Sequence, residues 1–252
     1  KAGVWDGNVR FFSRGTLPIG LTSELEKFAH NHYKIEYTFN DKDNVSLNEL
    51  KSFIGTLNLP SHFIVRDYQL AAILDSINNK RLSIEIKTGG GKSLVIYILV
   101  KYMFNVKNIT TLILVPQIDL VEQLFDDFMD YGWNEEDIFK SVGKLYGKSN
   151  LKRVGDVATI STWQTALSLK KKSDFLTDYG CVIGDENHLA KGKSIQTIVK
   201  ACKNAVYRIG TTGTYADNKI DNYTIIGIFG AIKTYATYDE LIESKFLSNF
   251  KL

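Results

Sequence analysis

The chain has 252 residues, 44% of them hydrophobic and 23% charged, and a formal net charge of +3. This is a globular composition with room for one large or two ordinary domains; it excludes a disordered chain, and so mild a charge identifies no nucleic-acid partner by itself. The longest apolar run, Leu94 to Val100, is too short to span a bilayer, and the two cysteines, Cys181 and Cys202, supply neither a disulfide framework nor zinc spacing, which points to a reducing, intracellular setting without a membrane.

From the N-terminus, Lys1-Ala2-Gly3-Val4-Trp5 resembles the middle of a longer protein rather than a leader. Asn8 to Phe12 predicts a short strand and Gly15-Thr16-Leu17-Pro18 a turn. Ser23-Glu24-Leu25-Glu26 has capping-box spacing ahead of a helix carrying Leu25 and Phe28. Tyr33 to Phe39 alternates like a strand, and Ser46-Leu47-Asn48-Glu49 opens a second helix with Leu50, Phe53 and Ile54. Residues 1–59 thus read as a small α+β module, closed by a compositional seam at Asn58-Leu59-Pro60. Its aromatics Trp5, Phe11 and Phe12 suit either base stacking or a small core.

Beyond the seam the pattern alternates. Strands are predicted at Leu82–Ile86, Thr111–Val115, Val157–Ser161, Gly180–Gly184 and Val206–Gly210, and helices at Ile64–Asn78, Ser93–Val106, Ile118–Tyr131 and Ile195–Lys203. Such alternation predicts an α/β fold over 60–235, a parallel sheet sandwiched by helices, with ligands bound beyond the strand carboxyl ends.

Two segments at such ends carry chemistry. In Thr88-Gly89-Gly90-Gly91-Lys92-Ser93 the glycines leave the backbone N–H groups open to a polyphosphate at a helix N-terminus. Lys92 then reaches the outer phosphates and Ser93 offers a hydroxyl to Mg²⁺. In Asp185-Glu186-Asn187-His188 the first carboxylate suits the metal and the second suits activation or orientation of water. Read without context, these are a flexible turn and an exposed acidic turn; placement of both after apolar strands favours nucleoside-triphosphate hydrolysis with Mg²⁺. His188 lacks a second histidine or cysteine nearby for a metal site and reads as a surface residue or a polar coupler. Lys140, Lys144, Lys148, Lys152 and Arg153 form the densest basic stretch, which from charge alone reads as a solvated loop.

The set of motifs resembles the first RecA-like domain of superfamily 2 helicases and translocases. Arg66-Asp67-Tyr68-Gln69 matches the R-x-Y-Q element, whose glutamine reads adenine, with Arg66 and Tyr68 assisting. Thr88–Ser93 matches motif I in its T-G-x-G-K-[ST] form, which does not need a glycine where this chain has Ile86. Leu114-Val115-Pro116, with Leu120 and Gln123, resembles motif Ia, although Gln117 stands where threonine is common. Ser161-Thr162-Trp163-Gln164-Thr165 resembles motif Ib; Asp185–His188 is motif II in its DExH form, with Lys92, Asp185, Glu186 and His188 as the catalytic set. Gly210–Thr214 resembles motif III, with Gly213 in place of the usual alanine and Thr212 and Thr214 as coupling residues.

The resemblance extends to UvsW-like DNA helicases of tailed phages through Trp5-Asp6-Gly7, Leu17-Pro18, His188-Leu189-Ala190 and Phe229-Gly230. It implies an ATP-dependent motor acting on branched, forked or single-stranded DNA, monomeric, and in the host cytoplasm if phage-encoded. Pro116, Gln117, Gln123, Thr162 and Gln164 are then the expected DNA contacts, with Lys144 and Lys148 adding a salt-sensitive electrostatic contribution. Nothing after Phe229-Gly230 resembles a second RecA-like domain, so residues 236–252 are expected to lead toward one. Two other expectations are compatible with these motifs: the motor part of a restriction endonuclease, and an ATP-sensing DNA-binding module with no turnover of its own.

Overall fold

The structure is a computed structural model that describes residues 11–12, 16–33, 42–147, 154–170, 174–215 and 218–243. The strands expected at Asn8–Phe12 and Tyr33–Phe39 fall largely outside the described residues. The described helices are α1 (Thr22–Tyr33), α2 (Leu47–Gly55), α3 (Asp67–Asn79), α4 (Lys92–Asn105), α5 (Ile118–Asp130), α6 (Glu135–Ser141), α7 (Trp163–Lys170), α8 (Lys193–Ala201), α9 (Lys219–Phe229) and α10 (Tyr238–Glu243). The strands are β1 (Arg81–Ile86), β2 (Thr111–Val115), β3 (Val142–Leu145), β4 (Ala158–Thr162), β5 (Cys181–Asp185), β6 (Tyr207–Thr212) and β7 (Ile232–Ala236). They form one sheet in the order β3-β4-β2-β5-β6-β1-β7, and every pairing is parallel.

A parallel sheet needs both faces covered because its crossovers lay helices on each side. The inner strand β2, Thr-Leu-Ile-Leu-Val, is buried at every position, and its side chains alternate between two cores as the strand period of two dictates. Ile113 and Val115 enter the larger core with α3, α4 and α5, together with Ile183 of β5. Leu112, Leu114 and Val182 enter the second core with α7, α8 and α9. The five expected strands and four expected helices are all present, with ends shifted by up to three residues.

Three of the elements not foreseen, β3, β7 and α9, lack the usual signal. The edge strand β3 contains Gly143 and Lys144, and β7 is mostly exposed along Lys233 and Thr234; neither reads as an apolar run. The helix α9 carries Ile220, Thr224, Ile225, Ile226 and Ile228, β-branched residues that favour strand on propensity alone. Ser23 does not cap a helix, because α1 already begins at Thr22, and Leu25 and Phe28 on that helix are about half exposed.

In α2 the capping box is present: Glu49 N–H donates to Ser46 Oγ at 3.3 Å and Ser46 N–H donates to the Glu49 carboxylate at 2.7 Å. Leu50 of this helix is completely buried in the same core as α3 and α4, with Val45, Phe53 and Ile54 packed against it. The segment before it is stitched to the amino-terminal edge of the sheet. Val45 N–H donates to Asn78 Oδ1 at 2.7 Å while Asn78 Nδ2 donates back to Val45 O at 3.0 Å. Asp43 accepts from the Tyr207 phenol at 2.5 Å and pairs with Lys107 at 2.6 Å; desolvation of its carboxyl is outweighed by these partners, so its pKa lies below the ordinary value. No described helix is long and apolar enough to cross a membrane.

Leu50→Ala is expected to cost about 2–5 kcal/mol of unfolding free energy, the range for emptying a buried leucine site. Chemical denaturation would read it; a loss below about 1 kcal/mol would show that α2 is not part of the sheet's core.

Candidate functional site

Because all strands run the same way, their carboxyl ends share one edge, and the register places the motif residues along it. Val115 at the end of β2 pairs with Thr162 at the end of β4. Asp185, last in β5, pairs with Thr211, and Thr212 pairs with Glu85 near the end of β1. The glycine loop and the acidic tetrapeptide therefore leave the same edge, separated by the single strand β6.

The loop after β1 turns through Gly90 N–H donating to Lys87 O at 2.9 Å. Gly89 and Gly91 lie in the left-handed region, with φ of 82° and 76°, which L side chains disfavour. Gly91 caps α4, and the unpaired N–H groups of that helix start make an anion nest. The Lys92 ammonium folds back to donate to Ile86 O at 3.4 Å.

From below, Gln69 holds the loop. It is buried (2% exposed); its Oε1 accepts from Arg66 N–H at 2.9 Å, and its Nε2 donates to Gly90 O at 3.0 Å and Gly91 O at 3.3 Å. Tyr68 donates its phenol proton to Gly90 O at 2.9 Å and accepts from Arg66 Nη1 at 2.7 Å. The residues expected to read a base thus hold the glycine loop in place. The Ser93 hydroxyl lies 2.7 Å from the Tyr131 phenol, and burial pushes up the pKa of the Asp127 carboxyl, a shift that the Ser93 hydroxyl opposes. Neither Asp127 nor Tyr131 belongs to a motif, so no sequence signal marked them.

On the other side, Asp185 Oδ1 accepts from Thr211 Oγ1 at 2.8 Å. Burial raises the Asp185 pKa above the ordinary value, and the Glu186 charge adds to this, while the Thr211 bond and the Lys92 charge oppose it. Glu186 adopts a left-handed backbone, φ 50° and ψ 47°. Its Oε2 accepts from Thr212 Oγ1 at 3.0 Å and lies 3.1 Å from His188 Nδ1. His188 Nδ1 is also 2.8 Å from Thr212 Oγ1, so a proton on Nδ1 serves both oxygens. Thr214 N–H donates to Thr212 Oγ1 at 3.3 Å. Thr212, Thr214, Glu186 and His188 therefore meet in one hydrogen-bonded junction, whereas Asp185 bonds Thr211 and Lys92 bonds Ile86 O; Thr88 Oγ1 lies 3.1 Å and Lys92 Nζ 3.5 Å from where a Cβ on Gly213 would sit.

This donor set suits a polyphosphate with a hard cation: a backbone nest, a lysine, a hydroxyl and a carboxylate. Among the described residues no three His, Cys, Asp or Glu side chains converge on a metal position, so a metal would draw most of its ligands from phosphate and water, as Mg²⁺ does.

The expected DNA contacts divide. Gln117, Gln123 and Gln164 are exposed, and Pro116 is half-buried at the carboxyl edge. Thr162 is buried, its hydroxyl donating to Thr165 Oγ1 at 3.0 Å, and so does not face solvent. Lys144, expected as a phosphate contact, instead pairs with Glu122 at 2.7 Å and lies 4.2 Å above the Phe125 ring centroid, so its charge is already compensated. Lys148 falls outside the described residues.

The family model of the type III restriction enzyme res subunit matches residues 62–217. The ATP-dependent DNA helicase UvsW of Enterobacteria phage T4 is 30% identical across the whole chain, which covers 51% of that protein. The chain therefore spans about half the length of its curated relative. A crystal structure of the UvsW helicase from bacteriophage T4 superposes with a TM-score of 0.81 at 27% identity, over 92% of this chain and 84% of that one. The Hef helicase domain of Pyrococcus furiosus shares the fold at 21% identity and a TM-score of 0.58, over 71% of this chain and 40% of that one.

A Cβ on Gly91 would stand 2.4 Å from Gln69 Nε2. Gly91→Ala is therefore expected to lose about 1–2 kcal/mol of stability from backbone strain and to weaken nucleotide binding at least about tenfold, because the nest must shift to admit the methyl group. Fluorescence titration with a labelled nucleotide checks this; unchanged affinity would detach the nest from ligand binding.

Proposed function

The chain belongs to the family of the type III restriction enzyme res subunit, whose members here include superfamily 2 helicases, and from that premise we propose that it is the nucleotide-binding motor half of an ATP-driven DNA translocase. One observation carries the reading: Thr212, on the strand between the glycine loop and the acidic segment, bonds Glu186 and His188 directly. A residue so placed passes any movement of the carboxyl edge to the carboxylate that would handle water.

In this reading Gly89, Gly90 and Gly91 present N–H groups to the phosphates. Lys92 leaves Ile86 O to meet the outer phosphate oxygens, and Gly213 leaves it the room to do so. Asp185 and Ser93 are the residues that would hold Mg²⁺, Ser93 exchanging its Tyr131 partner, and the bound ion would supply charge neutralisation at the phosphates. Glu186, held by Thr212 and His188, orients the attacking water. Arg66, Tyr68 and Gln69 border the loop on the side proposed for adenine. Pro116, Gln117, Gln123 and Gln164 line the part of the edge proposed to meet a DNA backbone, where contacts set register rather than sequence. Residues 1–42 are proposed as an accessory DNA-binding module, ending before the expected 1–59 because Leu50 of α2 is buried in the core shared with α3 and α4; 43–235 are proposed as the motor domain, and 236–252 as the lead into a second RecA-like domain that completes the site. The relative's printed activity supports DNA as the track.

The discriminating experiment compares ATP turnover of the full-length protein with single-stranded DNA, duplex, forked DNA and RNA. The motor reading expects stimulation by DNA, largest on the forked substrate. ATP binding without turnover on any nucleic acid would replace it with a sensing module, and accompanying DNA cleavage would point to a restriction enzyme.

Two substitutions follow from the assigned roles. Lys92→Ala should weaken ATP binding at least about tenfold, as loss of a charge-assisted phosphate contact does; calorimetric titration showing wild-type affinity would remove Lys92 from the cradle. Glu186→Gln should leave ATP affinity near wild type and slow hydrolysis by roughly 10²–10⁴-fold, the worth of a general base. Wild-type turnover in that variant would take Glu186 out of catalysis.

A further inference from the structure

Asn187 stands at the x of the D-E-x-H pattern, the position to which that pattern assigns no chemistry. Its side chain is nonetheless completely buried and bonded at both ends. Nδ2 donates to Ser83 Oγ on β1 at 3.2 Å, and Oδ1 accepts from the Tyr215 phenol at 2.7 Å. Ser83 in turn donates to Gly230 O at 3.2 Å, where α9 gives way to β7. The side chain fits only because residue 210 is glycine: a Cβ there would lie 1.8 Å from Asn187 Nδ2 and 2.4 Å from its Cγ.

The neighbour of this anchored residue is Glu186, whose left-handed backbone is disfavoured for any side chain larger than hydrogen. Such a conformation persists where the flanking residues over-determine it. On one flank Asp185 is fixed by strand pairing to Thr211; on the other the fixed residue is Asn187. Tyr215 follows Thr212 by three residues, so one short segment grips Glu186 twice: its carboxylate through Thr212, and its backbone through Tyr215 and Asn187.

We propose that Asn187 is the positioning residue that sets the Glu186 carboxylate, acting as a buried relay from Tyr215 on one side and from Ser83 and Gly230 on the other. Displacement of residues 211–215 then moves carboxylate and backbone of Glu186 together, and the Ser83 arm ties the same point to the start of β7. This rests on the reading of Glu186 as the water-orienting group.

The test uses the full-length protein. Tyr215→Phe removes one hydroxyl and keeps the ring in its packing, and Ser83→Ala severs the other arm, so neither relies on the harsher Asn187→Leu. Turnover with and without DNA, KM for ATP and thermal midpoint are measured, each in the wild-type and the Glu186→Gln background. Tyr215→Phe is expected to lower the DNA-stimulated kcat by roughly tenfold with KM within about twofold, and to cause little further loss when Glu186 is already glutamine, since residues acting through one group are not additive. Equal losses in both backgrounds, or a lowered midpoint with kcat intact, would overturn the relay and leave Asn187 a packing residue. Absence of ATP turnover in the wild-type protein is a separate result, which would overturn the functional reading and the relay with it.

Discussion

The carboxyl edge depends on β6 lying between β1 and β5. Adjacent parallel strands are about 4.7–4.9 Å apart, so the glycine loop and the acidic segment sit two strand spacings from each other, with β6 as the intermediary between them. The intermediary is a pair of consecutive threonines. Thr211 bonds Asp185 and Thr212 bonds Glu186, while Gly213, the next residue, lies against Thr88 and Lys92. Parallel register makes this possible, since it fixes which residue of each strand arrives at the edge.

A second constraint lies beneath the loop. Left-handed glycines and open N–H groups do not hold their own shape, and buried carbonyls require donors. Gln69 and Tyr68 supply three hydrogen bonds to the carbonyls of Gly90 and Gly91, tying the loop to the start of α3. That helix is in turn packed with α2 and stitched through Asn78 to Val45. The scaffold from residue 43 onward thus supports the loop through a continuous path of buried contacts.

Much of this was legible in the sequence, and the reasons differ by element. The inner strands were found because burial on both faces makes them unbroken apolar runs, as in Thr111 to Val115. The motifs were found because phosphate binding and water activation need particular residue types at fixed spacing. The edge strands β3 and β7 escaped because exposure lets them carry Gly143, Lys144, Lys233 and Thr234. The α9 helix escaped because tertiary packing of Ile225, Ile228 and Phe229 overrides their strand propensity. At the site, Asp127, Tyr131, Asn187 and Tyr215 left no signal: each matters through a partner far away in the chain, which spacing along one sequence does not encode. Lys144 shows the converse: its place in a basic stretch carries no sign of Glu122 and Phe125, the two residues that its ammonium lies against.

The central claim is that the glycine loop, the DExH segment and the threonines of β6 respond to one ligand as a unit. Hydrogen–deuterium exchange on this chain, with and without Mg²⁺ and a non-hydrolysable ATP analogue, addresses it in a single measurement. The account predicts ligand-dependent protection in peptides covering 88–93, 185–188 and 211–215 together, with the same concentration dependence. Protection confined to 88–93, or absent from all three, would contradict it.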